Sequence, residues 1–232
     1  MLNADIGVGC GSTADGCGGS GSCPAPPDFC IKRNDTRPAF RVAMSDCDGP
    51  IDLTEEGIVV EASMWFDAKL KSSITPSSSS LRFADDVGFE SVKVGDVIVT
   101  SRVRSPEKML VTEINEVTHE ISVARGYAST VPQSWDKGSS IKVFRFQDEP
   151  AAVESVIDTV ESVDGTSSEE LSDTLLVFSW TADKTSMPGC YWFEFKVLKL
   201  MPGSTEAEWV KRVPLSPVGS MINIVDSPTS AE

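Results

Sequence analysis

The sequence predicts an all-β protein, and three observations carry that prediction. In Cys190-Tyr-Trp-Phe-Glu-Phe-Lys-Val197, the residues Tyr191, Phe193, Phe195 and Val197 recur at period two, with Trp192, Glu194 and Lys196 between them. Such alternation sends the two sets to opposite faces of a strand. Met221-Ile-Asn-Ile-Val225 repeats the pattern, and residues 81–146 break into five short apolar runs separated by turn residues, the spacing of a small β-barrel.

Taken in order, the chain begins with a Gly/Ser/Pro/Cys stretch, residues 1–28, with almost nothing large and apolar to order it alone. An entry strand follows at Ile31, a kink at Arg37-Pro38, and a second strand through Phe40-Arg-Val42. Pro38 lacks an N–H, which suits a sheet edge or strand start. Asp46-Cys-Asp-Gly-Pro50 reads as a turn, because Asp and Gly accept the required backbone angles and Pro pre-sets the exit. Leu53 and Ile58-Val-Val60 resume the strand pattern. Met64-Trp-Phe66 then reads as a strand end, and Lys69 to Ser80, closing on four serines, as a linker.

The five runs of the middle region are Leu81-Arg-Phe83, Val94 to Val99, Met109 to Ile114, Ile121 to Ala124 and Ile141 to Phe144. Residues 147–173 are acidic and weakly patterned. Val153, Val156, Ile157 and Val160 have helical spacing, yet Val and Ile are poor helix formers, so a strand turning at Val163-Asp-Gly165 fits equally. Leu175 to Trp180 is a strand, Thr181 to Gly189 a turn-rich connection, and Ala207 to Val213 a strand inside the Pro-containing stretch 198–220.

Length and charge bound the function. A chain of 232 residues can build one large or two small domains. Its 35 acidic against 20 basic residues, net −15, argue against nucleic acid as partner, since such binders need a clustered positive face. Apolar runs are too short for a transmembrane helix. The start Met-Leu-Asn-Ala-Asp-Ile has neither a basic segment nor an apolar core, so no signal peptide is expected and synthesis is placed in the cytoplasm.

Three segments in order carry a resemblance: IKRNDTRPAF with DCDGPIDLT, then WTADKTSMPGCYWFEFKV, then GSMINI. Together they resemble the immunoglobulin-like domain of phage baseplate upper proteins and related tail structural proteins, over roughly residues 29–62 and 172–226. Members of that family pass between the first and second segments through a few dozen residues at most, whereas here residues 63–171 intervene. The middle region resembles a small module of other phage virion proteins through FESVKVGDVI, MLVTEI and ISVARGYASTVPQSWDKGSSI. Ser129 stands where those proteins usually have Gly, and Trp135 where His is common.

The resemblance implies an immunoglobulin-like β-sandwich with an inserted small β-barrel and a Cys/Gly-rich N-terminal arm. The expected parts are 1–28 arm, 29–80 first part of the sandwich and linker, 81–146 barrel, 147–226 second part of the sandwich, and 227–232 polar tail. The implied function is a structural subunit of a phage virion, at the tail baseplate or the neck and collar, assembled with other virion proteins and copies of itself. Two alternatives stay open: a tail module binding host-surface glycan, and a capsid decoration protein.

Candidate chemistry is sparse. Cys10, Cys17, Cys23 and Cys30 are separated by six, five and six intervening residues. Structural zinc sites pair cysteines two to four residues apart. Metal binding, a disulfide-stapled arm or inter-subunit cross-link, and unlinked thiols on a strap ordered by a neighbour are the readings of that set. Cys47 and Cys190 are read either as small buried hydrophobes or as a bridge. Asp46, Asp48 and Asp52 suit either calcium or an ordinary turn whose carboxylates bond their own backbone. His119 is the one histidine and is read as a solvated turn residue, so Ser-His-Asp and Cys-His catalysis lack parts. Trp65, Trp135, Trp180, Trp192 and Trp209 are read as core or interface residues, with a sugar platform as the alternative. No catalytic residue, cofactor or metal is assigned, and no enzyme is expected.

Overall fold

A computed structural model describes residues 29–43, 45–46, 49–50, 53–100, 105–161, 168–213 and 220–225. Its first strands are β1 (Phe29–Lys32), β2 (Phe40–Ala43), β3 (Ser45–Asp46), β4 (Gly49–Pro50), β5 (Ile58–Lys69) and β6 (Ser80–Leu81). A short helix α1 (Asp86–Glu90) precedes β7 (Val97–Thr100), β8 (Lys108–Asn115) and β9 (Glu120–Ala124). A 3-10 turn at Tyr127–Ser129 leads to β10 (Ser140–Pro150), β11 (Ala152–Glu161) and β12 (Ser168–Phe178). The last strands are β13 (Gly189–Leu200), β14 (Ala207–Val213) and β15 (Ser220–Val225). The fold is mostly β, as the alternation requires.

The larger sheet runs β1-β15-β13-β5-β10-β7-β8-β9-β6, with β14 also paired to β13. A second sheet has the order β11-β12-β2, and β3 pairs with β4. The four β13 residues picked out by alternation, Tyr191, Phe193, Phe195 and Val197, are all fully buried. They face the second sheet: the Phe193 ring lies 5.0 Å from Phe40 of β2 and 5.3 Å from Phe178 of β12, both edge to face. Ring quadrupoles favour that geometry. Trp180 and Phe29 continue the cluster, with Trp180 5.7 Å from Phe193. The apolar faces of the two sheets thus close one core.

Strand β5 departs from the sequence reading. Met64-Trp-Phe66 is its middle, and it continues to Lys69 because Ala68 and then Leu70 are buried alternately with Asp67 and Lys69. The serine-rich stretch after it is not a bare tether. Leu70 bridges Phe83, Ile74 bridges Trp135, and both are buried. Thr75, Ser77 and Ser78 bond one another in a tight turn, so polar composition here serves a local fold.

Two further expectations change. Val153 to Val160, balanced between helix and strand, lies in β11, which pairs with β12 from Ala152↔Val177 to Glu161↔Ser168. Branched side chains favour the extended state, and the partner strand decides. The run Ile141 to Phe144 extends to Pro150, with register shifts between Phe144 and Phe146 and between Phe146 and Glu149. Such bulges restart the alternation, so Phe146 turns into the core and stacks on Phe178 at 4.9 Å. Ala207–Val213, by contrast, forms the strand expected of it.

Candidate functional site

The buried charges of the described residues gather at two places. The first lies in the middle region, where Glu107, fully buried, faces Arg125. Arg125 Nε donates to Glu107 Oε1 at 2.6 Å and Nη2 to Oε2 at 2.8 Å, a bidentate pair. The remaining donors of Arg125 end on the carbonyls of Thr75, Ser78 and Gln133. Glu107 Oε2 also accepts from the Gln133 N–H at 3.0 Å and from Trp135 Nε1 at 2.9 Å. Burial pushes the Glu107 carboxyl up, but the hydrogen bonds from Arg125, Trp135 and Gln133 outweigh it and hold it below its ordinary value. The pair therefore pins three separate loops to one point.

The second cluster sits where α1 and β7 meet β10, β13 and the loop before β13. Arg145 is the residue inserted at the first β10 bulge, and its side chain is buried. Its Nη1 lies 3.1 Å from Asp96 Oδ1, and its Nη2 donates to the Ser91 carbonyl at 2.6 Å and to Tyr191 Oη at 3.3 Å. Tyr191 in turn donates to the Met187 carbonyl at 3.0 Å. Asp96 closes its own turn by accepting from the Lys93 N–H at 2.8 Å. Lys93 pairs with Asp183, and Lys184 with Glu149, so the loop 181–187 is clamped from both sides.

Burial of Asp96 dominates the pull of Arg145 and the Lys93 N–H, pushing its carboxyl up to about 6. Burial likewise raises the Tyr191 phenol against Arg145. At Asp183 the Lys93 hydrogen bond outweighs slight burial and lowers the carboxyl. Chemically the arrangement holds parts together: Arg145 pairs with Asp96 and donates to the Ser91 carbonyl and to Tyr191 Oη, while its buried Nε has no hydrogen-bond partner among the described residues.

No protein-family model matches the chain, and no curated protein is detectably similar to it. The geometry therefore carries the reading of these residues.

The positions singled out from sequence are scattered. Cys10, Cys17, Cys23, Cys47, Asp48 and Asp52 lie outside the described residues. Cys30 in β1 and Cys190 in β13 flank Asn223 of β15 in register, one on each side. Asp46 is in β3, opposite Gly49. His119 is exposed in the turn between β8 and β9, where its ring stacks on Phe89 at 4.7 Å and Nδ1 lies 3.2 Å from Asp86 Oδ1. Trp65, Trp135 and Trp180 are buried, so they are core residues and present no flat face to solvent. Trp192 is half-buried opposite Trp65. Among the described residues no group of three or more His, Cys, Asp or Glu side chains is placed to hold a metal ion.

Sequence reasoning missed Glu107, Arg125, Asp96 and Arg145. A signal existed for two of them: Asp96 belongs to KVGD and Arg125 to ARGY, the motifs that carried the resemblance of the middle region. Arg145 continues the inward alternation of Ile141 and Val143, but that pattern by itself names no partner for its charge.

Proposed function

We propose that this chain is a structural subunit of a phage virion, tail-associated at the baseplate or the neck and collar, working by protein–protein assembly and without catalysis. One observation carries the proposal. The segments that resemble baseplate domains, separated by residues 63–171, come together in space as one two-sheet body. β1 pairs with β15, β2 with β12, and β5 with β13. That arrangement supports an immunoglobulin-like sandwich assembled from both ends of the described chain.

The intervening residues support the reading of an inserted barrel. They extend β5 into the order β5-β10-β7-β8-β9-β6, and the Leu70–Phe83 bridge brings the end of that path back to the residue after β5. The hydrogen bonds Lys71 N–H to Arg82 O and Ala84 N–H to Lys69 O reinforce that return. Glu107–Arg125 and Asp96–Arg145 brace this unit internally, and Arg145, by donating to Tyr191 Oη of β13, ties it to the sandwich. A rigid body of this kind suits a subunit that transmits geometry to neighbours, with the N-terminal arm as a strap that Cys10, Cys17 and Cys23, together with Cys30 of β1, cross-link or secure.

Quantitative mass spectrometry of purified particles of the encoding phage tests the proposal. A tail-ring subunit should occur at roughly a dozen copies per particle, in the range where multiplicity strengthens modest contacts. Absence from particles would overturn the structural reading. Hundreds of copies would replace the tail with the capsid lattice, and measurable affinity of the isolated chain for host-surface glycan would favour a receptor-binding role.

A further inference from the structure

Between Arg145 and Lys184 the sequence contains no basic residue. The centre of that stretch is the β11/β12 hairpin. Its ten-pair ladder runs from Ala152↔Val177 to Glu161↔Ser168, but β2 covers β12 only from Leu175 to Phe178. Among the described residues no strand pairs with the other edge of β12 over Ser168–Asp173. At about 3.3 Å per residue, roughly 20 Å of two-stranded ladder extends past β2. A two-stranded ladder alone is marginally stable in water, so this arm needs a covering partner.

The register shows what partner the arm fits. Val156 pairs with Asp173, Asp158 with Leu171, and Val160 with Glu169, so aliphatic and acidic residues oppose one another at successive positions of one face. Glu161 and Glu170 add to the charge, and no cation on either strand of the arm balances it. The complement is an exposed basic surface.

This chain carries such a surface beside the opposite end of the β11-β12-β2 sheet, where β1 of the larger sheet leads into β2. β2 runs antiparallel to β12, with Ala43 on Leu175 and Phe40 on Phe178, so the residues before Phe40 lie away from the arm. There Lys32, Arg33 and Arg37 are exposed. Their loop is fixed on the 181–186 loop by Asn34 N–H to Thr185 O at 3.1 Å and Thr185 Oγ1 to Asp35 O at 2.9 Å. Arg33 Nε donates to Ser186 O at 2.9 Å, which holds that side chain at the loop. Of the described acids at this loop, Asp35 accepts from the Thr36 and Arg37 N–H groups, and Asp183 pairs with Lys93.

We propose that the acidic β11/β12 arm of one copy docks head to tail on the Lys32–Arg37 end of a second copy. The contact is heterologous, so repetition generates a ring if the rotation closes. This deepens the assembly reading above by naming the two surfaces, and it rests on that reading only for its setting in a particle.

The test uses the full chain in solution, followed by sedimentation equilibrium and mass photometry. Wild type should associate with rising concentration, and raising salt from about 0.05 M to about 0.5 M should weaken association on the order of tenfold. Two charge reversals, Glu169→Lys with Glu170→Lys, and separately Lys32→Glu with Arg37→Glu, should each leave a monomer. Mixing the two variants should restore association at 1:1 stoichiometry, since each then meets its opposite charge. A wild type that stays monomeric throughout, or association indifferent to salt and to both reversals, or a folded mixture that stays apart, would overturn the proposal. If circular dichroism shows that the arm variant does not fold, the salt series and the Lys32/Arg37 variant decide it alone. The outcome is separable from the virion reading, which particle composition tests independently.

Discussion

Glu107 and Arg125 are the clearest case of single residues setting local structure. Removing one partner of a buried pair leaves a charge without compensation, at a cost of about 3–5 kcal/mol. Glu107→Ala should therefore destabilise the protein by about that amount in urea denaturation, while Val117→Ala, at an exposed turn, should change it by less than about 0.5 kcal/mol. The acid dependence follows from the lowered Glu107 carboxyl. Its stabilisation is present above the ordinary carboxylate range and is lost as pH falls through the lower folded-state value. Asp96 has the opposite sign. Raised from 3.8 to about 6, it binds more protons folded than unfolded in that window, so its contribution falls as pH rises from about 4 to about 6. A shift of that size corresponds to on the order of 2–3 kcal/mol. Asp96→Asn should remove this component from a stability-versus-pH series, whatever its effect on the absolute level. Ser129, at φ 62, holds a left-handed conformation that disfavours side chains with a Cβ. Ser129→Gly should raise stability by about 1 kcal/mol in the same assay.

At the scale of elements, β5 joins what the sequence separates. Its residues 58–65 pair with β13 and its residues 61–69 with β10. A fragment of residues 81–146 lacks that strand and should give a disordered circular dichroism spectrum, whereas a fragment of residues 58–150 should regain a β signature. Equal spectra for the two would show that β5 is dispensable to the middle region. Legibility varied for physical reasons. β13, β14 and β15 were readable because one face of each pattern is strongly apolar or its bounds are marked by Gly and Pro. β10 was readable only up to Phe144, since a bulge resets the period and hides Phe146 among outward positions. α1 escaped notice because five residues are too few to show a helical period, although Asp85 caps it by accepting from the Gly88 N–H at 2.6 Å.

At the scale of the whole molecule, the apolar core was largely legible and the polar bracing was not. Alternation identifies which residues are buried, but a buried ion pair depends on two side chains far apart in sequence, such as Asp96 and Arg145. The same limit applied to the acidic arm: its lack of cations is visible in the sequence, whereas its projection beyond β2 emerges only from the strand register. The central claim is that this body serves as a tail-associated part of a virion. Its most direct test is electron microscopy of intact phage particles labelled with an antibody raised against the full chain. The account predicts label confined to the tail, at its tip for a baseplate subunit or at the head–tail junction for a neck or collar subunit. Label spread over the head, or particles without label whose protein profile also lacks the chain, would contradict it.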